Sequence, residues 1–222
     1  MKTTVVAALA LLLVMSVTDT TLAQRLSVGA RGGYSSTTVG WRGLQAIETD
    51  WNSNYHIGGL LKLAVHENFA IQLETWYAKK GTGARFLDDD IEGDYDLAYL
   101  QIPLLAQVMV PLGPDSRVAP HFFAGPTIAF ELSCEISAVI GGMTVRDDCD
   151  APDLDLERKT TDIGLLLGGG IEIQIGPGSI LLDAMYDLGL ANLNDDPEAA
   201  DDSVKSKAWM VSAGYLIPIT AW

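Results

Sequence analysis

The chain has little that points to catalysis and little positive charge. Its 222 residues include three His and two Cys, and 14 Lys and Arg stand against 29 Asp and Glu, a formal net charge of -15. An acidic excess of that size repels phosphate backbones, so nucleic acid is excluded as a partner. No Gly-x-Ser-x-Gly nucleophile motif is present, and Gly168-Gly169-Gly170 lies inside an apolar alternation, where it permits close packing and does not cradle phosphate. Beyond the first 23 residues no stretch reaches about 18 uncharged apolar positions, the length that marks a spanning helix. Lys62, Glu74, Glu131, Glu172 and Asp183 interrupt the apolar segments, which excludes a helical membrane protein. At 48% hydrophobic residues, the chain is also too apolar to remain disordered.

What is present begins with an address. Lys2, the apolar run from Val5 to Val17 and the small residues around Thr21-Leu22-Ala23 form the three regions of a secretory signal peptide. Residues 1–23 are read as that leader, cut between Ala23 and Gln24, and residues 24–222 as the exported domain. The apolar run is about 13 residues long, against the roughly 20 that span a bilayer as a helix.

After the leader the hydrophobic period is two, the period of a β-strand. Over residues 55–65, Tyr55, Ile57, Leu61, Leu63 and Val65 alternate with His56, Gly58, Lys62 and Ala64. Over 69–77, Phe69, Ile71, Leu73 and Tyr77 alternate with Gln72, Glu74 and Trp76. Residues 122–132, 163–175 and 180–190 repeat the pattern, and 25–34, 98–110 and 207–219 complete eight candidate strands. Each is long enough for the about 9–11 residues that a tilted strand needs to cross a bilayer. The connections alternate in length. Tight turns at His66-Glu67-Asn68, 111–116 and Gly176-Pro177-Gly178 alternate with long polar links near 35–54, 83–96, 134–161 and 191–206. These features predict an all-β fold: an eight-stranded antiparallel up-and-down transmembrane barrel with short periplasmic turns and long extracellular loops, placed in the outer membrane.

If the apolar face meets lipid, the lumen receives Arg25, Arg31, His56, Lys62, Gln72, Glu74, His121, Glu131, Glu172, Asp183 and Asp187. A barrel of eight strands is only wide enough for its side chains to fill. Isolated charges there are costly, so Arg31, Lys62, Glu74, Glu131, Glu172, Asp183 and Asp187 are expected to form a paired network that plugs the interior. Tyr34, Tyr55, Trp76, Tyr77, Tyr99, Tyr186, Trp209 and Tyr215 lie where interfacial girdles belong, and Trp222 ends the last strand as an aromatic insertion signal would.

The acidic residues gather in the long links: Asp88, Asp89 and Asp90 in one, Asp147, Asp148 and Asp150 in the next. Hard cations favour such oxygen donors, so these residues are candidates for divalent cation binding, bridging to lipopolysaccharide phosphates, although no EF-hand spacing is present. Cys134 and Cys149 fall within one link of an exported chain and are expected to form a disulfide. No cofactor is implied.

Several segments, in order along the exported domain, resemble the PorT-type outer membrane β-barrel proteins of Bacteroidetes. They include Val28-Gly29-Ala30-Arg31-Gly32-Gly33, His56-Ile57-Gly58-Gly59, Glu74-Thr75-Trp76-Tyr77-Ala78-Lys79-Lys80-Gly81, Tyr99-Leu100-Gln101-Ile102-Pro103-Leu104-Leu105, Phe123-Ala124-Gly125-Pro126, Gly168-Gly169-Gly170-Ile171-Glu172 and Tyr186-Asp187-Leu188-Gly189-Leu190. The resemblance implies an eight-stranded barrel in a family whose namesake takes part in secretion across the outer membrane. The expected role is a non-enzymatic structural or interaction protein. Its expected partners are outer membrane lipid, lipopolysaccharide, the barrel insertion machinery and other envelope proteins. The alternatives are a narrow channel or secretion-accessory subunit, and a lipid-modifying enzyme using His56 or His121 with Glu74.

Overall fold

The structure is a computed structural model that describes residues 25–42, 47–86, 91–113, 115–140, 143–149, 159–191 and 203–219. The expected leader, Asp88, Asp89, Asp90, Asp150 and Trp222 lie outside the described residues. Among the described residues, nine strands follow in chain order: β1 (Arg25–Arg42), β2 (Ile47–His66), β3 (Phe69–Phe86), β4 (Ile91–Met109), β5 (Val118–Ile140), β6 (Met143–Asp148), β7 (Thr161–Ile175), β8 (Gly178–Gly189) and β9 (Ser203–Ile219). Neighbouring strands pair antiparallel in the order β4-β3-β2-β1-β9-β8-β7-β5-β6, and β4 also pairs with β5. That second pairing closes eight of the strands into a barrel. The ninth, β6, is a short ribbon on the upper part of β5, from Glu135 opposite Asp148 to Ile140 opposite Met143. Closure gives each of the eight barrel strands a partner on both sides, which a bilayer demands because it offers no hydrogen bonds to an open edge.

The tight turns rest on local chemistry. Gly113 and Gly176 hold φ at 137° and 61°, a region where a side chain is disfavoured. At the β2 to β3 turn, the Asn68 amide donates to Nδ1 of His66 at 3.3 Å.

The strands run further than the apolar alternation indicates. Residues 35–42 and 47–54 continue β1 and β2, 83–86 continue β3, and 91–97 open β4. Both faces of a strand meet water beyond the bilayer, so the side-chain pattern fades while the backbone ladder continues. In this upper part, Thr37 Oγ1 donates to the Gly81 carbonyl at 2.7 Å and Asn54 Nδ2 donates to Thr37 Oγ1 at 2.9 Å.

The barrel is inverted relative to a soluble one. Ile57, Phe122, Leu165, Val211 and Ile217 are exposed on the outside, whereas Arg31, His56, Lys62, Glu74 and Asp183 are buried inside. Two girdle assignments are corrected: Trp76 is 0% exposed and Tyr99 is 3% exposed. Trp76 shares the inward parity of Gln72 and Glu74. At Tyr99 a register shift between Ala98 and Tyr99 turns both of those residues inward.

A layered lumen as the candidate functional site

The inward positions of β8 include, from the short-turn end upward, Leu181, Asp183, Met185 and Asp187, all buried. They set the plan of the interior: charged tiers alternate with apolar layers, and each strand contributes one residue per step of two.

At the bottom, Lys62 on β2 pairs with Glu172 on β7, their side chains 6% and 16% exposed. Above them lie Leu60, Leu181 and Leu216. The middle tier joins four strands. Arg31 on β1 lies 3.0 Å from Asp183 Oδ2 and 3.5 Å from Glu74 Oε2, every side chain at most 1% exposed. These are charge contacts, since neither Arg31 Nε nor Asp183 Oδ2 has an aligned hydrogen bond. His121 on β5 reaches the other oxygen of Asp183 at 2.7 Å. Glu74 accepts from the Gln72 amide and from the indole Nε1 of Trp76.

The bond between His121 and Asp183 passes across β7. Gly170 stands between them in register, and a Cβ there would strike the Asp183 side chain and the Leu182 carbonyl. Only glycine leaves that passage open.

A second apolar layer of Trp76, Leu105, Phe123, Leu166, Met185, Ala208 and Met210 covers the middle tier. The ring of His56 lies 5.3 Å from that of Trp76, and neither of its nitrogens has a hydrogen-bond partner among the described residues. The upper tier follows. Lys80 Nζ lies 3.1 Å from Asp187 Oδ2 and 3.7 Å from Asp162 Oδ2. Gln101 donates to Asp187 at 2.9 Å and Ser206 to Asp162 at 2.7 Å. Over this end, Cys134 on β5 is bonded to Cys149 just after β6, with Cα atoms 5.5 Å apart and both residues buried. The disulfide therefore pins a strand to its hairpin; it does not close a free loop.

Six of the seven charged residues expected in the lumen fall into three separate groups: Lys62 with Glu172, Arg31 with Glu74 and Asp183, and Asp187 with Lys80. Glu131 is half-buried on β5, opposite Tyr99. Lys80, Asp162 and Gln101 are the members that the apolar pattern does not reveal. Lys80 continues the parity of Gln72, Glu74 and Trp76, three residues past the expected end of β3. Asp147 and Asp148 stand exposed on β6. Among the described residues no group of three or more His, Cys, Asp or Glu is placed to hold a metal ion.

The family model described as outer membrane protein beta-barrel domain matches residues 19–195. Among solved structures, the outer membrane protein OprG from Pseudomonas aeruginosa aligns at 13% identity over 89% of this chain and 98% of its own, with a TM-score of 0.53. Neisserial surface protein A aligns at 13% identity over 87% and 97%, with a TM-score of 0.48. Ail, the attachment invasion locus protein of Yersinia pestis, aligns at 16% identity over 86% and 98%, with a TM-score of 0.44. At such identities the likeness to OprG speaks for the fold alone. No curated protein shows a significant match. The extent of the family match and the closed eight-stranded barrel agree: the chain belongs to the outer membrane protein beta-barrel domain family.

Proposed function

We propose that the protein is a non-enzymatic barrel of the outer membrane, sealed to solutes, that acts as a structural or interaction protein through its extracellular end. One observation carries this reading: the layer of Trp76, Leu105, Phe123, Leu166 and Met185 separates the middle and upper charged tiers. An ion crossing it would give up its charged partners for a layer that offers no charged group in their place, at a cost of several kcal/mol. The paired side chains fill the width that eight strands enclose.

The histidines support the same reading. His121 is committed to Asp183 and His56 faces Trp76, both inside the wall and away from lipid substrates. The segments Glu74-Thr75-Trp76-Tyr77 and Tyr99-Leu100-Gln101-Ile102 support a place in the PorT-type branch, with a role beside a secretion assembly. Liposome swelling with small sugars tests the sealed lumen. Proteoliposomes should swell no faster than empty liposomes, and sugar-driven swelling would overturn the reading in favour of a channel.

A further inference from the structure

Outside the barrel, aromatic residues on five consecutive strands form one row: Tyr77 on β3, Tyr55 on β2, Tyr34 on β1, Trp209 on β9 and Tyr186 on β8. Tyr34 stands opposite Tyr55. Tyr77 pairs with Ile57, two residues below Tyr55. Trp209 pairs with Ser36, two residues above Tyr34, and with Tyr186. From β3 to β8 the row thus climbs two and two residues over four strand steps, the advance of about one residue per strand that keeps a row level on tilted strands. Contacts follow the row, with ring centroids 6.2 Å apart for Tyr55 and Tyr77 and 4.6 Å apart for Tyr186 and Trp209. Such a belt marks the height of the lipid headgroups.

Two residues further toward the extracellular end, the outward positions on four of these strands are Lys79, Ser53, Ser36 and Lys207. Ser53 and Lys207 are exposed, and Lys79 and Ser36 are half-exposed. Ser53 Oγ lies 2.7 Å from the Tyr34 hydroxyl, which ties the two rows together. Lys205 extends the cationic edge upward on β9 and is also exposed. Among the described side chains of β1, β2, β3, β8 and β9, no carboxylate faces outward. In a chain with 29 acidic and 14 basic residues, a strip of cations and hydroxyls at this one level departs from the overall charge.

We propose that Lys79, Ser53, Ser36 and Lys207 form a binding strip for the phosphorylated saccharide headgroup of an outer-leaflet glycolipid. The lysines take its phosphates, the serines take sugar hydroxyls, and the aromatic row below meets its acyl chains. Lysine binds phosphate as a point charge, and hydroxyls serve as both donors and acceptors toward sugar. The two lysines are separated by three strand spacings, more than about 14 Å, too far for one phosphate and suited to a headgroup with separated phosphates. The strip adds a partner to the outer membrane placement and rests on it, but it is independent of the sealed lumen.

The test is native mass spectrometry of the protein in phosphatidylcholine nanodiscs titrated with bisphosphorylated lipid A, its monophosphoryl form, or phosphatidylglycerol. The expected result is that Lys79→Gln/Lys207→Gln weakens lipid A binding by at least about tenfold. Arg117→Gln, the loss of one cation at the exposed β4 to β5 turn, should leave binding unchanged. The monophosphoryl form and phosphatidylglycerol should bind the wild type more weakly than lipid A. Wild-type affinity in the double variant, equal weakening by Arg117→Gln, or equal binding of phosphatidylglycerol would each overturn the proposal. Failure to insert into nanodiscs would overturn the outer membrane placement itself. A retained heat-induced gel shift in the variants confirms that the barrel is intact.

Discussion

The indole Nε1 of Trp76 donates to Oε2 of Glu74, two residues away on the same strand, so one hydrogen bond ties the upper apolar layer to the middle charged tier. Both groups are fully withdrawn from water. One of the two carboxylates that balance Arg31 is thereby oriented by the side chain that closes the passage above it. Sealing and charge pairing are one construction.

Truncating that side chain should be expensive. Trp76→Ala removes the largest buried side chain of the layer and one of the hydrogen bonds of Glu74, and a Trp to Ala change in a packed core costs about 3–5 kcal/mol. Urea unfolding in detergent micelles should show a loss in that range. Trp76→Phe keeps most of the volume and should lose clearly less.

The bottom tier gives an asymmetric pair of variants. Lys62→Met leaves Glu172 without its partner, and breaking such a buried pair costs about 3–5 kcal/mol, less here because Glu172 is partly exposed. Lys62→Met/Glu172→Leu removes both charges and should recover most of the stability. A double-mutant cycle by urea unfolding checks this; equal losses in the single and double variants would mean that the ion pair is not what matters there.

The disulfide holds a hairpin, so its loss should be local. Cys134→Ser/Cys149→Ser unties β5 from its hairpin over a sequence separation of 15, a constraint of roughly 3 kcal/mol in the chain-entropy model. The heat-induced gel shift of the barrel should persist, while limited proteolysis between Ile140 and Cys149 should become faster. A lost gel shift would place the disulfide in the stability of the barrel as a whole.

Within the bilayer the sequence is readable because lipid outside and charge inside enforce a strict period of two. Arg31, Lys62, Glu74 and Asp183 stand out against that period. Parity alone also assigns Trp76 inward, and its reading as a girdle residue weighted aromatic character over position. Tyr99 was not legible, because the register shift beside Ala98 leaves no trace in composition. Lys80 and Asp162 were hidden for another reason: they lie where the strands leave the bilayer and the outer face no longer has to be apolar. Cys134 likewise reads as a loop residue from its polar neighbours, yet the ladder of β5 runs through it to Ile140.

The most direct test of the central claim is ionic current across a planar bilayer holding the wild-type barrel, measured beside Trp76→Ala under the same conditions. The layered lumen predicts no steady conductance for the wild type and a measurable ohmic conductance once the apolar layer is opened. Steady conductance of the wild type, unchanged by Trp76→Ala, would contradict it.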